Sequence, residues 1–194
     1  LTSANSINIA RWLPQMFYYF FAYKTLKQKD KKLVFSVPSG NYGNICAGMM
    51  AQKLGLPIHH FVTGTNANNI VPEYLKTGNY LTKDSVATIS NAMDVGAPSN
   101  FIRIEALHNN NFAQLQSNLS GYSYTDSETI EAIKLLKTEH NYTADPHGAI
   151  GYLALRKYLE NKTGLQGVFL ETAHPIKFLP VMPEQIANNI EMPS

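Results

Sequence analysis

Cysteine is almost absent: Cys46 is the single one in 194 residues. No disulfide can form within the chain, and a reducing compartment, the cytoplasm, is the default expectation. Charge is also sparse, with 15% Asp, Glu, Lys and Arg and a net charge of +2. That gives no footing for a nucleic-acid partner. Long apolar runs are missing too. The richest aromatic stretch, Trp12 to Tyr23, contains Pro14 and Gln15 and falls far short of the roughly 20 residues a membrane span needs. No spacing of His, Cys and carboxylates suggests zinc. The opening residues, Leu1-Thr2-Ser3-Ala4, carry no basic stretch and no Met, so they do not read as a signal peptide. They look like the end of a strand cut mid-domain, and the chain is expected to be a fragment of a longer protein. Its length suits a single domain over 1–194 with a sizeable core.

What is present is organised around Pro38-Ser39-Gly40-Asn41-Tyr42-Gly43-Asn44. An apolar run, Leu33-Val34-Phe35-Ser36-Val37, precedes it and reads as a buried strand. A segment of helical composition comes after it, with Gly55 as a stop and Pro57 beyond. In a strand, Gly-rich turn and helix, the two glycines are expected to take positive φ and bring backbone N–H groups close to a ligand. The helix points its positive end at the same place. The spacing Gly-x-x-Gly is neither a Walker loop nor the dinucleotide fingerprint. A phosphate cradle and an ordinary tight βα turn both fit.

Elsewhere, Asn5-Ser6-Ile7-Asn8 offers helix-capping residues, and a helix is expected from about Ile7 to Lys29. Pro14 would kink it or sit in its first turn. Phe17, Tyr18, Phe20, Phe21 and Tyr23 make this helix too aromatic for a free surface, so burial against a sheet or another subunit is expected. Ile58 to Thr63 reads as a second strand and Gly167 to Glu171 as a third. Helices are expected over about 44–54, 70–77, 101–107, 112–118 and 126–140, and from Asp145-Pro146, a capping Asp with Pro at the first helical position, to about Asn161. Residues 79–100 are irregular, 120–125 are ambiguous, and short helices near Pro175 and over 183–189 close the chain. Alternating strands and helices argue for an α/β three-layer sandwich with a mostly parallel sheet. Ligands in such sheets sit beyond the carboxyl ends of the strands.

Six stretches in order carry a resemblance. They are Asn5-Ser6-Ile7-Asn8 with Arg11; Val37 to Asn44; Thr65-Asn66-Ala67-Asn68-Asn69-Ile70; Ala92-Met93-Asp94 with Ser99-Asn100-Phe101; Asp145-Pro146-His147; and Thr172-Ala173-His174-Pro175 with Lys177-Phe178. Together they resemble the C-terminal half of the threonine synthase family. These are fold-type-II pyridoxal-phosphate (PLP) enzymes that convert O-phospho-L-homoserine and water to L-threonine and phosphate. The resemblance implies that Ser39, Gly40, Asn41, Tyr42, Gly43 and Asn44 anchor the PLP phosphate. It implies that Thr172 faces the pyridine nitrogen, where a neutral hydroxyl would not fix the nitrogen as a cation. Thr172 could also cap the next helix. Asn5, Ser6 and Arg11 match positions that hold the substrate phosphate, a task that suits the planar fork of Arg. Otherwise Asn5 and Ser6 are plain caps and Arg11 a surface charge.

The remaining candidates are weaker. His59 and His60 on one strand face opposite ways. His147 and His174 are expected to be structural or supporting rather than catalytic. Cys46, at a helix start, is either a low-pKa thiol or a small packed residue. The family's Schiff-base lysine lies in an N-terminal segment that nothing here matches. Lys29-Asp30 and Lys83-Asp84 lack its apolar and Gly/Pro context. The fragment is therefore expected to need the N-terminal half of the same polypeptide for activity. A dehydratase or phospho-lyase of the same fold type, or a non-catalytic phosphate-binding module, are the alternatives.

Overall fold

The computed structural model describes residues 8–27 and 30–191. Among the described residues, four strands form the sheet: β1 (Lys32–Pro38), β2 (Ile58–Thr65), β3 (Leu119–Ser123) and β4 (Leu165–Phe169). Their order is β3-β2-β1-β4 and every pair is parallel. Alternate β1 side chains point to opposite faces. Leu33, Phe35 and Val37 join Phe61 in the larger core, which α1 (Trp12–Thr25) and α2 (Gly43–Lys53) cover. Val34 and Val62 point the other way, onto Ala154, Leu155 and Tyr158 of α7 (Pro146–Leu159). Outside α7 lies α6 (Asp126–His140), with Met182 and Ile186 completing that cluster. Helix, sheet, helix is the expected three-layer sandwich.

The central pair β1–β2 is buried because parallel strands covered on both faces lose contact with water. Ser36 is the polar residue in the buried stretch of β1. Its hydroxyl donates to the Gly151 carbonyl of α7 at 2.6 Å, so burying it leaves no donor unpaired. The shorter helices are α3 (Ile70–Thr77), α4 (Phe101–Leu107), α5 (Phe112–Asn118) and α8 (Glu184–Ala187).

Five expectations shift. The first helix proper starts at Trp12, after a 3-10 turn over Ile9–Arg11 that Asn8 caps through Ala10 N–H at 3.0 Å. Pro14 therefore lies in the first turn of α1, where its missing N–H leaves no helical bond broken. That helix is also only partly covered. Trp12, Met16 and Tyr19 are buried, whereas Phe17, Tyr18 and Phe21 are 57, 58 and 64% exposed. The ambiguous 120–125 region contributes β3 along the open side of β2. Strand β4 begins at Leu165 and ends at Phe169, although Leu170 N–H still donates to the Ser36 carbonyl at 3.0 Å. Beyond it, Pro175–Val181 is 3-10 rather than α-helix, with Pro180 unable to donate a backbone bond.

Candidate functional site

A cleft of about 540 Å³ opens beyond the carboxyl ends of β1 and β4. Residues Pro38–Asn44 form one wall, and Arg11, Met93, His147, Glu171 and Thr172 contribute to the others. The switch between neighbouring parallel strands puts it where ligands of such sheets bind.

The loop adopts its shape for a reason the sequence hides. The residue with positive φ is Tyr42, at +63°, not either glycine. A tyrosine tolerates this conformation only when its surroundings enforce it. Here the ring is buried edge-on against Phe101 at 5.5 Å, and its hydroxyl accepts from Thr63 at 3.3 Å. Burial pushes the phenol's pKa up. The Tyr42 side chain therefore belongs to the core, and only its backbone faces the cleft. Gly40 serves close approach instead: a Cβ there would stand 2.6 Å from Met93 Cα and 2.9 Å from the Ala92 carbonyl oxygen.

Next comes the start of α2. Tyr42 is its N-cap and supplies no side-chain cap. The first N–H groups of the helix, from Gly43, Asn44 and Ile45, have no intrahelical acceptor. With the helix dipole behind them they favour an anion. The Ser39 N–H, by contrast, is spent on the Gly64 carbonyl at 2.9 Å, and its hydroxyl donates to the Val37 carbonyl at 3.0 Å. Asn41 Oδ1 accepts from Ser99 N–H at 2.6 Å and from its hydroxyl at 3.0 Å. Tyr19 donates to both Asn44 Oδ1 at 2.9 Å and the Asn44 carbonyl at 3.0 Å. Its ring lies so close to Gly48 that any Cβ there would overlap it.

The wall opposite Gly40 is held by a polar network that sequence reasoning did not assign. Asn66 Nδ2 donates to Asp94 Oδ1 and to Thr88 Oγ1, both at 2.8 Å. Asn68 is bound to the Val86 carbonyl and the Val86 N–H, at 2.9 and 2.8 Å. Thr88 N–H donates to Asp94 Oδ2 at 3.0 Å. Asn66, Asn68 and Ser90 are buried, so these bonds fasten the irregular 79–100 segment to the end of β2. The resembling stretches 65–70 and 92–94 are the two sides of this fastening.

At the far end, Asp145 caps α7 through His147 N–H at 2.8 Å, and the same Oδ1 accepts His147 Nδ1–H at 2.6 Å. His147 Nε2 accepts the Ala92 N–H at 3.3 Å, which assigns the ring proton to Nδ1. Thr172 lies in the cleft, exposed, and does not cap the 3-10 segment Pro175–Val181. His174 does, accepting from Ile176 N–H at 3.3 Å.

The structure thus brings Ser39, Gly40, Asn41, Tyr42, Gly43, Asn44, Arg11 and Thr172 to one cleft. Asn5 and Ser6 lie outside the described residues, as does Lys29. Lys83 donates to Asn69 Oδ1 at 2.8 Å and is not among the cleft residues. His59 is exposed while His60 is buried, on opposite faces of β2 as expected. Burial pushes the Cys46 thiol up to about 12 against the opposing pull of Arg103, so it is a packed residue and not a nucleophile.

No family model matches the chain. It is 50% identical over 179 residues to the threonine synthase of Haemophilus influenzae, covering 92% of this chain and 41% of that protein. Against the threonine synthase of Escherichia coli the identity is 43% over 194 residues, 100% of this chain and 44% of that one. The chain spans less than half the length of the curated relatives it matches. The crystal structure of Escherichia coli threonine synthase superposes with a TM-score of 0.90 at 44% identity, covering 100% of this chain and 44% of that one. A PLP-bound threonine synthase from Brucella melitensis gives 0.84 at 33%, covering 93% and 44%. A threonine deaminase from Solanum lycopersicum, at 18% identity and TM-score 0.62 over 82% of this chain and 42% of that one, shares the fold alone.

Proposed function

We propose that this chain, a relative of the threonine synthases along its whole length, is one α/β domain carrying the phosphate-anchoring part of a PLP site. The full protein would convert O-phospho-L-homoserine and water to L-threonine and phosphate. The observation that carries this reading is the start of α2. Uncapped N–H groups and a glycine pressed against Met93 leave a notch shaped and polarised for a phosphate. The residues present fit the group on that ground.

Bound there, PLP would supply the electron sink the reaction needs. The chain's own residues would hold it. Gly43 and Asn44 offer backbone N–H groups, and Gly40 keeps the approach open. Asn41 contributes by tying the loop to Ser99, and Tyr42 by fixing the turn from the core. Ser39 also lines the cleft, but its N–H already has an acceptor, so its part would be to turn its hydroxyl away from the Val37 carbonyl and donate it to the phosphate. Thr172, on the neighbouring strand end, would meet the pyridine nitrogen with a neutral hydroxyl. Arg11 would bind the substrate's own phosphate through its guanidinium fork, together with Asn5 and Ser6. The lysine that binds PLP would come from the N-terminal half of the same polypeptide, in the cytoplasm. None of the described residues forms a helix long and apolar enough to cross a membrane.

Phosphate release from O-phospho-L-homoserine by the full-length protein tests this. Arg11→Ala should lower kcat/KM well over tenfold, roughly 2 kcal/mol or more of transition-state binding. An unchanged kcat/KM would sink the role of Arg11. Failure of the wild type to release phosphate would sink the reading itself.

A further inference from the structure

Glu171 sits beside the cleft with its carboxyl directly over Gly148, where any Cβ would overlap it. Both its oxygens, and Asp145 Oδ2, are buried without a hydrogen-bond donor in bonding geometry. The other Asp145 oxygen already accepts twice from His147. Several acceptors and no donor is an unstable arrangement for two ionised carboxylates. One proton between them resolves it.

The surroundings decide which group holds that proton. Burial and the neighbouring Asp145 push Glu171 up to about 9. Burial opposes the charge of Asp145 as well, but the hydrogen bonds from His147 and the adjoining Glu171 carboxyl hold it below the usual range. The Asp145 N–H and the Tyr142 hydroxyl favour an ionised Glu171, but neither reaches bonding geometry and burial outweighs them. The other charged or titratable groups lining the clefts around Glu171 are Arg11, Tyr18, Tyr42 and His147 on one side, His174 and Glu191 on the other. Their signs are mixed, and none replaces the missing donor.

We propose that Glu171 is a positioning residue: as a neutral carboxylic acid it donates to Asp145 Oδ2 and thereby fixes the chain Asp145–His147–Ala92 that sets the wall over Gly40. Asp145 holds His147 by Nδ1–H, and His147 Nε2 holds the Ala92 N–H. The Ala92 carbonyl and Met93 Cα are the atoms that close on Gly40. The consequence for phosphate anchoring rests on the proposed PLP role; the shared proton does not.

The test uses the full-length protein that carries this chain. Without PLP, infrared difference spectra at neutral pH should show the carbonyl stretch of a protonated carboxyl. It should fade as pH rises through about 9 and be absent from Glu171→Gln. Amide exchange at Ala92 should quicken about tenfold or more in Glu171→Ala, which leaves Asp145 Oδ2 unpaired. Glu171→Gln keeps a donor and should stay within about twofold of wild type. PLP affinity, read by absorbance, should show the same split between the two variants. No protonated carboxyl at neutral pH, or one that survives Glu171→Gln, overturns the proton. Equal Ala92 exchange in both variants overturns the hydrogen bond. Unchanged PLP affinity in Glu171→Ala overturns the effect on the cradle. If the wild type binds no PLP, the cofactor reading falls instead, and the first two measurements still decide Glu171.

Discussion

Replacing Gly40 with alanine tests how the cradle is built. The added Cβ would lie 2.6 Å from Met93 Cα and 2.9 Å from the Ala92 carbonyl oxygen. Carbon atoms in contact prefer about 3.5–4.0 Å, so the wall must retreat by roughly 1 Å. It has little freedom to do so. Ala92 N–H is bonded to His147, Met93 N–H to the Ser90 carbonyl at 2.9 Å, and Asp94 to Asn66 and Thr88. Overpacking of this kind costs about 1–3 kcal/mol. We expect a lower urea midpoint with an unchanged slope, and PLP affinity of the full-length protein reduced about tenfold to hundredfold, at 1.4 kcal/mol per tenfold. Gly55→Ala is the control. Its φ is +103° and its Cβ would meet nothing within 4 Å. It should cost roughly 1–2 kcal/mol of stability through backbone strain alone and leave PLP binding intact. Equal PLP affinity in Gly40→Ala and wild type would refute the claim that this wall sets the cradle.

Two further outcomes concern buried groups. Tyr19→Phe keeps the ring against Gly48 and Phe35 but removes the hydroxyl that serves Asn44, so urea unfolding should show a loss of about 1–2 kcal/mol; an unshifted midpoint would mean that this hydroxyl does not brace α2. Burial lowers His60 from 6.5 to about 4, with His59 and Lys162 acting in the same direction and the Ser117 carbonyl opposing. The unfolded chain therefore gains a proton between those values that the folded chain refuses, and stability falls as pH drops through that window. His60→Gln should flatten this acid limb in urea titrations, and an unaltered limb would show that other groups cause it.

The readable parts of the chain were those with local causes. Strand β1, the turn after it and the Asp145-Pro146 helix start each announce themselves within a few residues. Strand β3 does not. Leu-Ser-Gly-Tyr-Ser has little strand preference of its own, and it pairs because β2 offers an edge and Gly121 lets Pro72 approach. The usual rule assigns a left-handed turn to glycine, but Phe101 and Thr63 impose it on Tyr42 from far along the sequence. Asn66, Asn68 and Asp94 stood out in the resemblance without a role, because their role is to join segments distant in sequence. Glu171 read as the last residue of a strand. Only its position over Gly148 reveals a buried acid.

The parallel order β3-β2-β1-β4 also bears on timing. The loop at the site comes directly after β1, the first of these four strands in chain order, yet Lys32 must wait for Leu165 before its second neighbour exists. At about 5–20 residues per second, translation leaves that flank of β1 unpaired for on the order of ten seconds. During that interval an apolar strand with an open edge is available to other chains or to a chaperone. Substitutions in β4 should therefore lower yield in cells by more than their effect on the finished fold would suggest.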